Sequence, residues 1–333
     1  MTRPRLPSMP APLRPAYREA RQVLARLHGL HRSRLLAAAS GGPDSALLVH
    51  VLAAAAPRMG FDVVGVHVDH GLTAAAHDLA HHARAACDGA GVPFFAVRVH
   101  VQAQGHEGLE SAARRARWDA LRAAARSHGA AWVCTGHNAT DVAETFVQRI
   151  LEGAGRGQAA MQPVDGTTVR PLVGLTRAQV RRIAGALQLP SVDDPMNDNP
   201  AFLRGWMRTR LWPILVERFP SADLTLARAA GLAAADRDAL DALSLDVKTE
   251  HARAALARLP EALRLRALRG MVEAARGGPL RTGAEAVRRA SSAVVARGGP
   301  TRRFKVGDTW LVVGTDQVRA QRAAAGDRAA PSA

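Results

Sequence analysis

SRLLAAASGGPDSALLVHVLAAAAPR, residues 33–58, decides the reading of this chain. Its first eight residues form a short apolar run, and Gly41-Gly42-Pro43 closes that run. The rest returns to apolar residues at helical spacing, so the segment predicts strand, tight turn, helix. Two glycines let the backbone N–H groups of Ser40-Gly41-Gly42-Pro43-Asp44-Ser45 point into one concavity, and the helix behind adds the positive end of its dipole. That is an anion cradle suited to the pyrophosphate of a nucleotide. Ser40 and Ser45 offer hydroxyls as well. An aspartate beside an anion is out of place unless a divalent cation bridges them, so Asp44 implies Mg²⁺. Read for structure alone, Asp44 or Ser45 would simply cap the helix. No lysine precedes Lys248, so the G-x-x-x-x-G-K-[ST] phosphate loop is excluded.

The same alternation continues outward. FDVVGVHVDHGL (61–72), VPFFAVRVHV (92–101) and AWVCTGH (131–137) read as strands, and the stretches between them as helices, including 109–130; a further helix covers 138–153. Strands separated by helices predict an α/β fold, a doubly wound parallel sheet whose ligands sit at the carboxyl ends of the strands. The polar clusters SGGPDS, VDHGL and TGHNATD all follow strands. We divide the chain into a basic N-terminal extension (1–30), a nucleotide-binding domain (31–217), a second, mainly helical domain (218–320) and a disordered tail (321–333). Residues 220–297 carry no strand signal, and 302–319 reads as a small hairpin turning at Gly307-Asp308.

Composition bounds the function. The 333 residues carry a formal charge of +16, 47% hydrophobic residues and two cysteines. A disordered chain, a disulfide scaffold and a Cys₄ metal site are excluded. No apolar run is long enough for a membrane span and no secretory leader is legible, so a cytoplasmic protein without a membrane partner is expected. Lys248 and Lys305 are the only lysines; every other basic residue is arginine. Such a charge attracts polyanions, nucleic acid above all.

Several side chains carry chemistry by their spacing. His137, Asp141 and Glu144 lie at i, i+4, i+7 and share a helix face, where they can hold Mg²⁺ or act as general acid and base. Arg114 and Arg117, at i, i+3, can clamp a phosphate or an adenylate. Asp69 ends a strand beside the cradle, in position for a nucleotide or an amine, and His67 before it packs inward. His77 and His81 are read as structural.

Taken in order, these segments resemble one family. Ser40 to Ser45 looks like the PP-loop of the N-type ATP pyrophosphatases. His67-Val68-Asp69-His70-Gly71-Leu72, the Glu110 to Trp118 helix, Thr135 to Thr145 and Arg170-Pro171-Leu172 resemble motifs shared by the lysidine synthetases and the tRNA 2-thiocytidine enzymes of that superfamily, and Asp193-Asp194-Pro195-Met196-Asn197 with Phe202-Leu203-Arg204 and Arg208 resembles a block of the lysidine synthetases. Thr140 departs from the usual first acid of an Asp-Asp pair, and Gly205-Trp206 from an Asn-Arg.

The resemblance implies an adenine nucleotide alpha-hydrolase-like domain and a C-terminal tRNA-binding domain. It implies a ligase that uses ATP and Mg²⁺ to adenylate the wobble cytidine of an isoleucine tRNA with a CAU anticodon, then joins free L-lysine to it, forming lysidine. Asp44, Arg114, His137, Asp141 and Glu144 would be catalytic. Ser40 to Ser45 and Asp69 would bind ATP, Asp44 and Asp141 would hold the Mg²⁺, and Arg117, Arg204, Arg208 and Arg210 would meet tRNA. The alternatives are a tRNA 2-thiocytidine-type thiolation enzyme, against which the lack of a C-x-x-C pair argues, and a non-catalytic tRNA-binding module. The oligomeric state stays open, a homodimer included.

Overall fold

The computed structural model describes residues 8–69, 71, 76–101, 109–152, 161–194, 198–243, 249–278, 280, 283–296 and 300–323. His70, Leu72, Pro195, Met196 and Asn197 of the quoted motifs, and the tail beyond 323, lie outside the described residues.

The chain divides into two compact units, Met1–Ala234 and Ala235–Ala333. In the first, β1 (Arg34–Ala38) is the central strand and its side chains split by the period of two. Leu35, Ala37 and Ala39 face one core, and Leu36 and Ala38 face the other. The turn then feeds α2 (Pro43–Met59), with Gly42 as N-cap, Pro43 in the first turn and Gly60 closing the helix in the left-handed region. β2 (Asp62–Asp69), α3 (Ala76–Gly89), β3 (Phe94–Arg98), α4 (Leu109–Ser127), β4 (Trp132–Cys134) and α5 (Ala139–Leu151) follow, each within a predicted segment.

β1 pairs in parallel with both β2 and β4. With β5 (Val164–Asp165) and β6 (Thr168–Val169) the sheet runs β3-β2-β1-β4-β6-β5, parallel except for the β5–β6 pair. The chain therefore winds outward from β1 through β2 and β3, then crosses to β4 on the other side. The crevice between the carboxyl ends of β1 and β4 is the point where the winding reverses, which is where such sheets bind ligands. One face is covered by α1 (Arg14–Leu24), α2, α3 and α6 (Arg177–Ala186), and the other by α4 through Leu121, Ala124 and Ala125.

α7 (Leu203–Trp206), a π-helical turn (Met207–Leu211) and α8 (Trp212–Arg218) then follow end to end. α9 (Ala222–Ala242) follows, and the division between the units falls within it. Residues 218–234, read above with the second domain, fall in the first unit because Ala230 and Ala234 bury against Val142 of α5.

The second unit is helical, as expected, but it holds more sheet than one hairpin. α10 (Arg253–Arg258), α11 (Glu261–Arg276) and α12 (Ala284–Val295) pack on an antiparallel sheet of order β7-β10-β9-β8. β8 (Arg302–Val306) and β9 (Thr309–Val313) form the predicted hairpin about Gly307-Asp308. β10 (Gln317–Arg322) adds a third strand, reaching into the stretch read as disordered tail, and β7 (Glu250–Ala252) a fourth. Three residues, Glu-His-Ala, offer no alternation of apolar and polar side chains, so β7 is set by pairing with β10 and has no signal of its own.

Candidate active site

The turn after β1 is held from three sides. Gly41 has φ +91°, and a Cβ there would lie 2.2 Å from the carbonyl oxygen of Leu79 in α3, so only glycine fits. The Ser45 hydroxyl accepts from the Gly41 N–H at 3.1 Å and donates to the Gly42 carbonyl at 2.9 Å. Ser45 thus braces the loop from within, and no side-chain bond caps the helix. The Val192 N–H donates to the Gly41 carbonyl, laying residues 191–194 on the loop. Helix geometry leaves the amides of Gly42, Asp44 and Ser45 without an intrahelical acceptor. They remain available to an anion at the start of α2, with exposed Ser40 beside them.

The neighbouring strand supplies the second wall. Gly136, after β4, presses on the backbone of Asp44, where a Cβ would sit 2.9 Å from the Asp44 carbonyl carbon. Asn138 caps α5: its side-chain oxygen accepts from the Asp141 N–H at 3.2 Å, and Asp141 returns the bond to the Asn138 N–H at 3.1 Å. The same Asn138 donates its side-chain N–H to Asp44 Oδ1 at 2.8 Å. A single buried amide therefore ties the turn after β1 to the helix after β4. Burial first, and then the charge of Asp141, push the Asp44 carboxyl up to about 6.

Asp141 and Glu144 do share a face, and arginines cover it. Arg177, the first residue of α6, reaches Asp141 at 3.0 Å and Glu144 at 2.8 Å. Arg208 reaches Asp141 at 2.9 Å and Glu144 at 3.0 Å. Arg204 donates to the Thr145 hydroxyl at 3.2 Å and lies 3.8 Å from Glu144. Glu144 is wholly buried. Burial alone would raise Asp141, but Arg177, Arg204 and Arg208 hold its carboxyl below the ordinary range. Thr140 accepts from the Arg177 N–H at 3.0 Å, so the residue that departs from the acidic pattern joins α5 to α6.

His137 contacts the Thr135 hydroxyl through Nδ1 at 2.7 Å. Burial, and then Arg170, Arg204 and Arg117, lower its pKa, so the imidazole is neutral at pH 7. Arg117 is half-buried on α4 and Arg114 exposed one turn before it. Arg210 is exposed, on the far side of the helix from Arg208's carboxylates. Asp69 accepts from the Gly71 N–H at 2.8 Å and closes the turn after β2, while buried His67 bonds the Ala39 carbonyl at 2.8 Å. Both cysteines are buried, and burial raises both thiols, Cys87 to about 12.

The residues read for Mg²⁺ divide. Asp141 has Oδ1 on guanidinium groups and Oδ2 on the Asn138 N–H. Asp44 keeps one oxygen for a cation that would also bind phosphate, a donor set that suits Mg²⁺, which takes one or two carboxylates with phosphate oxygens. Among the described residues no group of three or more His, Cys, Asp and Glu forms a metal cage. A 260 Å³ pocket opens beside Pro43, with Arg181 paired to Asp193 across it at 2.7 Å. A larger cavity, 450 Å³, lies by Arg34, Asp62 and His128 at the opposite edge of the sheet, away from all of these groups.

Sequence reading missed Asn138, Arg177 and Arg181. The Thr176–Gln179 capping box announces the helix that Arg177 begins. Nothing local distinguishes that arginine from the many others. Among the described residues no helix is long and apolar enough to cross a membrane.

Comparison with known proteins agrees with this geometry. Residues 15–215 match the family model of the PP-loop domain. The chain is similar to the tRNA(Ile)-lysidine synthase of Aromatoleum aromaticum, 39% identical over 60% of this chain and 47% of that one. It is also similar to that of Thermobifida fusca, 39% identical over 73% of this chain and 78% of that one. The matched region thus spans about half the length of several curated relatives. Among solved structures, the U34-tRNA thiolase NcsA from Methanococcus maripaludis shares the fold, with a TM-score of 0.55 at 16% identity over 66% of this chain and 78% of that one. With more than half of its length matched by the PP-loop model, and most of the Thermobifida fusca protein covered, the chain belongs to the tRNA(Ile)-lysidine synthase family.

Proposed function

We propose that this chain forms lysidine: it uses ATP to activate the wobble cytidine of an isoleucine tRNA with a CAU anticodon and joins free L-lysine to it. The observation that carries the reading is the Asp44–Asn138–Asp141 connection across the crevice between β1 and β4. It joins a main-chain anion cradle to a charged pocket beside it, which supports a nucleotide and an activated substrate meeting in one crevice.

In the first step the carbonyl oxygen of the cytidine attacks the α-phosphorus of ATP and pyrophosphate leaves. The free amides at the start of α2 receive the developing negative charge. Asp44 would hold a Mg²⁺ that lowers the cost of that charge. In the second step the lysine ε-amine attacks the activated carbon, AMP leaves, and the amine loses a proton. Asp141 and Glu144 are already committed to guanidinium groups, and the burial and arginines that keep His137 neutral also make it a weak base, so this proton is left to solvent. Arg114 and Arg117 would steady the adenylate, and Arg210, with the basic second unit, the tRNA. Arg204 and Arg208 shape the carboxylate pocket. A cytoplasmic location and a homodimer belong to the same proposal. Thiolation is disfavoured by chemistry: the chain's two cysteines, Cys87 and Cys134, are buried with raised pKa values and cannot carry sulfur to a substrate.

The test is incubation with ATP, labelled lysine and an unmodified tRNA transcript, followed by nucleoside analysis. Labelled lysidine is expected from the CAU transcript and none from a methionine tRNA. Asp44→Asn should lower product formation by about 10²–10³ while leaving tRNA affinity within about twofold. Sulfur-containing nucleoside, or no modified nucleoside, would overturn the reading.

A further inference from the structure

The helical run from Leu203 to Arg218 has two unlike sides. Arg204 and Arg208 point inward and clasp Asp141 and Glu144, and Met207 and Trp212 are buried. The Trp212 indole is satisfied, donating to Asp223 at 2.6 Å. Gly205 is jammed against the Asn199 backbone, where a Cβ would come within 2.0 Å of the carbonyl oxygen. This side cannot roll without breaking the carboxylate pocket. The other side carries Leu203, Trp206, Arg210 and Ile214, spaced three or four residues apart and so aligned along one face. Trp206 is 44% exposed, Leu203 50% and Ile214 65%. Arg210 is exposed and engages none of the described residues.

An indole left half in water costs hydration, and a lone exposed apolar residue would call for no explanation. Here the indole shares its helix face with further apolar residues and with a guanidinium that engages none of the described residues, on a chain of charge +16. A flat aromatic face beside a free cation is the pairing that holds single-stranded nucleic acid, with the base on the ring and the phosphate on the cation. Asp141 and Glu144, beneath this helix, are turned inward and neutralised, so they do not repel a phosphate; exposed Glu217 lies beyond Ile214, two turns from Arg210.

We infer that Trp206 is a binding residue that stacks an unpaired base of the RNA substrate, with Arg210 on the adjoining phosphate, next to the nucleotide being modified. The inference rests on the tRNA reading above and adds to it a specific contact. Because Arg204 and Arg208 lock this helix to the carboxylate pocket, the stacked base would set the distance from the RNA to the reacting centre.

The experiment uses the full chain and its Trp206→Ala and Trp206→Phe variants. It measures KM and kcat with the tRNA transcript, KM for ATP, and binding of a single-stranded RNA oligonucleotide of the anticodon-loop sequence. Trp206→Ala should raise KM for tRNA and weaken oligonucleotide binding by about tenfold, with KM for ATP unchanged. Trp206→Phe, which keeps a ring, should restore most of the loss. Equal tRNA KM for parent and Trp206→Ala overturns the inference, and so does Trp206→Phe as impaired as Trp206→Ala. Sedimentation in which Trp206→Ala dissociates a dimer while RNA binding is unchanged also overturns it and assigns the face to a second copy. Should the parent make no lysidine yet lose oligonucleotide binding on Trp206→Ala, the stacking contact stands and the ligase reading falls.

Discussion

Two sets of arginines, one in each unit, serve different ends. In the first, Arg177 and Arg208 converge on the carboxylates Asp141 and Glu144, so charge meets charge in a buried pocket. In the second, Arg253 and Arg264 meet uncharged oxygen instead, while Arg266, Arg269 and Arg276 pair with carboxylates nearer the surface. Arg253 donates to the carbonyls of Ala293, Val294 and Gly314 at 2.9, 3.0 and 3.0 Å. Arg264 donates to the Ser291 hydroxyl at 2.8 Å and the Leu259 carbonyl at 2.9 Å. Those guanidinium groups finish helix ends and loop carbonyls that would otherwise lack donors. The comparison separates an arrangement in which buried charge is matched by charge, so that a neutral replacement leaves a counter-charge unpaired, from one in which the donor geometry matters more than the charge. It also means that a net charge of +16 overstates the positive charge free to meet a polyanion.

The largest effect expected is at Glu144. Glu144→Gln leaves two half-buried guanidinium groups short of a counter-charge and should destabilise the first unit by about 3 kcal/mol. Denaturant unfolding measures it; a loss under 1 kcal/mol would show that the pocket is solvated and would erase the contrast. Next, Arg253→Ala strands several carbonyls and should destabilise the second unit by about 3 kcal/mol, while pyrophosphate exchange per folded molecule stays near the parent value. A matching loss of exchange in the fully folded variant would make Arg253 part of the chemistry and break the division of roles.

The smallest effect concerns Asp44 and pH. Its carboxyl is raised from 3.8 to about 6 by burial and by Asp141, so the folded chain holds this proton more firmly than the unfolded one. The stabilisation is complete below 3.8, is lost as pH rises to about 6, and is level above that. Two units correspond to about 3 kcal/mol at most. Asp44→Asn cannot ionise, so relative to the parent, without ATP, it should gain roughly 1–3 kcal/mol between pH 4 and pH 7.5. Paired denaturation curves at the two pH values check this, and an unchanging difference would mean that the Asp44 charge is fully solvated. Asp141, held low by its arginines, runs the other way, losing stability as pH falls.

How much was legible depends on the range of the forces involved. β1, the turn and α2 were readable because strand period, glycine pair and helix period all occur within 26 contiguous residues, 33–58. The placement of Asp141 and Glu144 on one face was readable for the same reason, since helix spacing is local. Their partners were not. Arg177 and Arg208 arrive from 36 and 67 residues downstream of Asp141, and no local pattern marks which arginines will be buried. Thr140 looked like a loss against the acidic pattern; its hydroxyl instead closes the free amide at the start of α6, a role that only the packing of two helices reveals. β5 and β6, two residues each, fall below any periodic signal.

Asn138 spends its two ends on different neighbours, oxygen toward the Asp141 amide and nitrogen toward Asp44. Aspartate would cap α5 equally well but would set a third acid against Asp44, and serine or threonine would cap it without reaching across. The usual interchange among helix-capping residues is therefore closed at this position. An ordinary preference for turning a chain into a helix has become, through one amide, a requirement that spans two strands of the sheet.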